Sequence, residues 1–189
     1  EGKHFYSLFI FYYDWRQDIA ANAARLSEFI NIRRQYLKSR YEQLYGIKDH
    51  DIRFDLIAHS MGGLVARYYA QYGAQPLGRA NDPLPQLNWS GARNLGKVVI
   101  VSTPNAGYAD TFLELLNGLQ MLPLAPVYPA GVIGTFPSYY QMLPDPGTRS
   151  ILWKSSGVPV DCFDVELWKK YRWGMLSDQS RELWAELMP

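Results

Sequence analysis

A chain of 189 residues that is 48% apolar and 15% aromatic has ample material for a buried core, which excludes a disordered or fibrous polymer. Lys and Arg number 19 against 18 Asp and Glu, so the net charge is +1, and their scatter leaves no basic stripe for nucleic acid or an anionic membrane surface. Cys162 is the single cysteine; it has no internal disulfide partner and no zinc-type neighbours, so the compartment stays open.

The opening at Glu1, with His4 and polar neighbours, lacks the charged start, apolar stretch and small-residue cleavage site of a secretory signal, and it reads as the start of a fragment or a processed chain. Phe5 to Tyr13, "FYSLFIFYY", is an almost continuous apolar run, which predicts a strand buried on both faces of a parallel sheet. Beyond "DWRQD", Ile19, Ala23, Leu26, Ile30, Leu37, Tyr41 and Leu44 recur at helical spacing, which predicts a long amphipathic helix ending near Gly46. A strand at Ile52 to Ala58, a helix from about Met61 to Tyr72, a loop rich in Pro, Gly and Asn, and a strand at Lys97 to Ser102 follow. The order β-α-β-α-β with right-handed crossovers predicts a doubly wound α/β core over residues 1–104.

After Thr103 the pattern changes to a short helical stretch and then Pro123, Pro126, Pro129, Pro137, Pro144 and Pro146, which forbid long regular elements. Residues 105–189 therefore read as an inserted cap. Phe112 to Ile133 is apolar overall, but Glu114, Asn117, Gln120 and three prolines make it a poor membrane span, and no transmembrane segment is expected.

The chemistry concentrates at Ala58-His59-Ser60-Met61-Gly62. Small residues two before and two after a serine are what a sharp strand-to-helix turn requires, since larger side chains would strike the neighbouring strand and helix. Such a turn lifts the Ser60 hydroxyl above the sheet and aims the Met61 backbone N–H at a developing oxyanion, helped by the helix dipole. Gly63 would let the helix approach the sheet. The structural alternative is that Ser60 only caps the helix; an apolar strand leading in and an amphipathic helix leading out favour the nucleophile.

"AHSMGGLVARYY" is similar to the nucleophile elbow of α/β-hydrolase lipases, with Ala58 where many have glycine. Taken with "YYDWR" before it, "VSTPNAGYAD" after it and "GTFPSYYQMLP" in the cap, it resembles the lecithin:cholesterol acyltransferase family from about Phe11 to Trp173. The resemblance implies an α/β-hydrolase fold, Ser60 as nucleophile, Met61 N–H as one oxyanion donor, and transfer of an acyl group from a lipid ester to an alcohol or water. It implies no metal or organic cofactor, and a lipid or other acyl ester as the partner.

A serine nucleophile needs an imidazole to take its proton. His50 lies at the entrance of the elbow strand, roughly 26 Å from Ser60 at ~3.3 Å per residue, and His4 is excluded by a similar distance. His59 adjoins Ser60, but side chains diverge at a tight elbow, so it reads as packing beside the turn. The fold's chain order is Ser, acid, His, and no histidine follows Met61. The chain therefore reads as the central part of a larger hydrolase that lacks the triad acid and His, with a pseudoenzyme as the competing explanation. Asp110 reads as a loop or cap residue before an early triad acid, and Asp14, Trp15 and Arg16 as structural. Leu113, Leu115, Leu116, Leu119 and Leu122 are either cap core or a lid touching lipid. The alternative in function is a non-catalytic lipid- or protein-binding module on the same scaffold.

Overall fold

The apolar repeat after "DWRQD" closes as α1, Ile19–Tyr45. Ile19, Ala23, Leu26, Ile30 and Leu37 are buried along one stripe as their spacing requires, while Arg25, Glu28 and Gln35 face outward. The computed structural model describes residues 4–79 and 81–188. They fall into two compact units: the stretch up to Trp15 with Ile19–Thr103, and Arg16–Asp18 with the stretch from Pro104.

In the first unit β1, Phe54–His59, runs parallel to β2, Leu95–Val101, and α2, Gly62–Tyr72, connects them. The register pairs Leu56 with Val98, Ala58 with Ile100 and His59 with Val101. Val65, Ala66 and Tyr69 form the buried face of α2, which packs on α1 and on the sheet. Burying Val65 alone is worth about 1.5–3 kcal/mol. Arg34 Nη1 donates to Asn94 Oδ1 at 2.6 Å, and Asn94 Nδ2 donates to the Tyr69 hydroxyl at 3.0 Å, which ties α1, α2 and the start of β2 together. Gly91 is required there, since a Cβ would sit 1.9 Å from the Tyr69 carbonyl oxygen.

Two expectations need correction. Among the described residues the sheet has two strands, because Phe5 to Tyr13 is extended but joins no ladder. Nor is that run buried on both faces. Phe5, Phe9, Phe11 and Tyr13 turn inward, with Phe9 against Tyr36 and Phe11 against Phe29, while Leu8 and Tyr12 are 84% and 83% exposed. α1 covers one side and nothing described covers the other. The same holds for β1, whose Ile57 is 82% exposed. The mixed α/β class stands, with a small parallel sheet.

The second unit contains α3, Ala109–Asn117, α4, Ala130–Ile133, α5, Pro137–Gln141, α6, Val165–Tyr171, and α7, Asp178–Leu187. The prolines keep most of these short, as expected. Phe112, Leu115, Ile133, Tyr139, Leu143 and Cys162 form its core. Phe112 meets Trp168 and Trp173 edge-on at 5.8 and 5.1 Å, and Trp168 Nε1 donates to the Cys162 carbonyl at 2.8 Å. Burial pushes the Cys162 thiol up to about 11, so this cysteine is an inert core residue. Asp164 and Ser177 cap α6 and α7 by accepting from the Glu166 and Ser180 N–H groups.

Candidate active site

Ser60 occupies the turn between the last residue of β1 and the first turn of α2. Its φ is +53°, in the left-handed region where an L side chain costs of order 1–3 kcal/mol, and its side chain is exposed. The turn is held from both sides. The Ser60 N–H donates to the Val101 carbonyl at 2.9 Å, and its own carbonyl accepts from the Gly63 N–H at 3.0 Å. Two neighbours thus over-determine a conformation the residue would not choose alone.

The capping alternative fails on geometry: the N-cap position belongs to Met61, and no side chain caps the helix. Met61 is buried with φ −56°, and Leu64 and Val65 N–H groups bond back to its carbonyl. Among the described residues neither the Met61 nor the Gly62 N–H has a backbone acceptor, so both donors stand free at the helix N-terminus beside the Ser60 side chain. Gly63 permits the close approach that the sequence demanded of it. A Cβ there would lie 1.9 Å from Thr103 Oγ1, just beyond the end of β2.

Two neighbours escaped the sequence reading. Ser102 has φ +49° just past the end of β2, where continuing the register sets it opposite Ser60, so each strand is followed by a left-handed serine. Tyr13, read in the sequence as the end of the Phe5 to Tyr13 run and as part of "YYDWR", brings its hydroxyl to 3.4 Å from where a Gly62 Cβ would stand; burial raises its pKa and keeps it a neutral donor. Local sequence carries no signal for either, because both depend on which strand lies beside which.

None of the three histidines hydrogen-bonds the Ser60 hydroxyl among the described residues. His50 stacks on Tyr41 with ring centroids 4.4 Å apart, His4 is exposed, and His59 is exposed at the end of β1 rather than packed beside the turn. In the second unit Asp110 stands in the first turn of α3 and accepts from the Tyr108 hydroxyl at 2.6 Å, which holds the Tyr108 pKa up. In "DWR", the Asp14 carbonyl accepts from Asn22 Nδ2 at 2.8 Å, and the Arg16 guanidinium lies 6.0 Å from the Phe136 ring centre. The leucine cluster divides: Leu115 is fully buried with Leu116 and Leu119 packed about the same core, whereas Leu113 and Leu122 are exposed. Among the described residues no group of three or more His, Cys, Asp and Glu is placed to hold a metal ion, and no helix is long and apolar enough to cross a membrane.

A parallel strand, a left-handed serine and a helix with free N–H donors together place an exposed hydroxyl beside a helix N-terminus. The family follows from the sequence match. Residues 6–173 match the family described as lecithin:cholesterol acyltransferase, and the chain belongs to it. No curated protein gives a significant match. Among solved structures the chain is similar to one from "The crystal structure of Tle4-Tli4 complex", with TM-score 0.56 and 18% identity over 89% of this chain. This chain spans 34% of that one.

Proposed function

We propose that this chain carries the nucleophile elbow of an α/β-hydrolase that cleaves lipid acyl esters through an acyl-serine and passes the acyl group to an alcohol or water. The observation that carries the reading is the left-handed φ of Ser60 at a strand-to-helix junction where its hydroxyl makes no capping bond. Strain held in place by the Val101 and Gly63 bonds, with nothing structural gained from the side chain, is the signature of a residue kept for chemistry. Family membership supports the lipid ester as substrate class.

In this mechanism Ser60 Oγ attacks the ester carbonyl while a base takes its proton. The new Oγ–C bond pushes the carbonyl π pair onto oxygen, and the Met61 N–H, at the positive end of α2, stabilises that oxyanion. Collapse expels the lipid alkoxide, which recovers the proton, and leaves the acyl-serine. Water or an alcohol then attacks the acyl-serine with the same proton traffic in reverse. The base and the triad acid come from polypeptide outside residues 1–189, consistent with the order Ser, acid, His.

Residues 1–104 are read as part of the hydrolase core and 105–189 as part of its cap. Leu119 and Tyr128 close a loop through reciprocal backbone bonds of 2.9 and 2.8 Å, and Met121, Leu122, Leu124 and Val127 project from it exposed. No charged residue occurs from Leu115 to Pro144, so this loop is suited to touching a lipid surface. Among the described residues no histidine bonds to Ser60, and that observation favours a second reading, a lipid- or protein-binding module without catalysis. Expression of the complete reading frame, assayed on a p-nitrophenyl ester and on phospholipid vesicles, separates the two. The enzyme reading expects turnover that Ser60→Ala abolishes; absence of turnover, or an indifferent Ser60→Ala, favours the module.

A further inference from the structure

The inward side chains of the run Phe5 to Tyr13 are Phe5, Phe9, Phe11 and, at the end that reaches the Ser60 turn, Tyr13. Tyr6 and Tyr12, the other tyrosines of the run, face outward, 80% and 83% exposed. Packing alone is served by phenylalanine at three of the four inward positions, so the hydroxyl at the fourth calls for a reason of its own. The Tyr13 ring is set by stacking on Phe11, with centroids 5.8 Å apart and planes 18° apart.

Its hydroxyl ends in the gap that the two small residues flanking Ser60 leave open. From the point where a Gly62 Cβ would stand, the Tyr13 oxygen is 3.4 Å away and the Ala58 Cβ 3.9 Å. A Cβ stands about 2.5 Å from its own backbone nitrogen, so the hydroxyl oxygen lies within about 6 Å of the Gly62 nitrogen. One acceptor oxygen at about 2.9 Å from each spans that distance. Among the described residues the Tyr13 hydroxyl makes no hydrogen bond, and the Met61 and Gly62 N–H groups have no acceptor either. Three donors thus meet beside the exposed Ser60 side chain with nothing to donate to, which is the arrangement a developing negative oxygen needs.

We infer that Tyr13 is a further catalytic residue, whose hydroxyl donates a hydrogen bond to the oxyanion formed when Ser60 attacks an ester, beside the Met61 N–H. The inference rests on the proposed reading of Ser60 as nucleophile. As the Oγ–C bond forms and the carbonyl π pair moves onto oxygen, the phenol shares its hydrogen with that oxygen and keeps it, so no proton changes hands. Burial raises the phenol above its ordinary value, in keeping with a group that donates without ionising. Acylation and deacylation pass through the same oxyanion, and Tyr13 serves both.

Tyr13→Phe removes the hydroxyl and keeps the ring. In the protein from the complete reading frame, assayed on a p-nitrophenyl ester, it is expected to lower kcat roughly 10²-fold with KM nearly unchanged. Affinity for an aliphatic trifluoromethyl ketone, which takes Ser60 Oγ into a tetrahedral oxyanion, is expected to fall by a similar factor, while the melting temperature holds. Tyr12→Phe, one residue away and facing outward, is expected to leave all of these unchanged. Full kcat in Tyr13→Phe, where Ser60→Ala is inactive, would overturn the inference and leave the nucleophile standing. A kcat loss that spares trifluoromethyl ketone affinity, that comes with a lower melting temperature, or that Tyr12→Phe shares would make Tyr13 structural and overturn it as well. Turnover that survives Ser60→Ala would remove both readings.

Discussion

β1 and the run "FYSLFIFYY" are both extended stretches that alternate in burial, and of the two only β1 forms a ladder. Both alternate in burial; the run packs on α1 and β1 on α2. β1 has β2 at its side, delivered by α2 and clamped by the Ser60 N–H bond to Val101; the run has a cavity there. An apolar pattern specifies an extended chain and its buried face, while a strand also needs a main-chain partner that the pattern does not encode. The strained turn at Ser60 is affordable because it sits on the paired strand, where both its N–H and its carbonyl are held.

The largest effect that sharpens this contrast is chemical. In the complete protein Ser60→Ala is expected to reduce ester turnover by roughly 10⁴-fold or more with little change in melting temperature, measured by steady-state kinetics beside a thermal scan. Next comes packing at the paired strand. Gly63→Val is expected to cost at least about 1–3 kcal/mol, because its Cβ would overlap Thr103, and Gly91→Ala a similar amount, because it would strike the Tyr69 backbone. Denaturant titration checks both, and unchanged midpoints would show the approach of helix to sheet to be looser than described.

A smaller effect runs the other way. Ser60→Gly relieves the left-handed φ and is expected to raise stability by up to about 1 kcal/mol while activity is lost, which separates strain from chemistry at one position. A loss of stability would mean that the Ser60 side chain is structural after all.

The smallest effect lies in the second unit. Burial raises the Glu114 carboxyl pKa, partly offset by its hydrogen bond with Tyr139. A raised folded-state value means the native state prefers the neutral acid. The contribution is therefore full below the unfolded value of 4.5 and is lost as pH rises through the folded value. Glu114→Gln should gain melting temperature relative to wild type as pH rises from 4.5 towards 7, and a gap constant over that range would remove Glu114 as the cause.

How much of this could be read in the sequence differs by residue. α1 and α2 were legible because Ile19, Ala23, Leu26 and Val65, Tyr69 keep helical period, and the strand-to-helix turn at Ser60 was legible because Ala58, Gly62 and Gly63 leave space only a sharp turn needs. The unpaired state of Phe5 to Tyr13 was not, since ladders are long-range. Nor was the left-handed Ser102, set by its place beside Ser60, or the division of the leucines, set by which face of α3 meets Ile133 and Tyr139. His59 looked like packing and is exposed because no described element covers that face of β1.

The central claim is that Ser60 is the nucleophile, and covalent trapping tests it most directly. The protein from the complete reading frame would be treated with a fluorophosphonate and digested, and the peptide holding Ser60 read by mass spectrometry. The account predicts a phosphonyl adduct on Ser60, absent when the protein is first denatured and absent in Ser60→Ala. An unmodified Ser60 in a protein that turns over ester, or an adduct on another residue that survives Ser60→Ala, would contradict it.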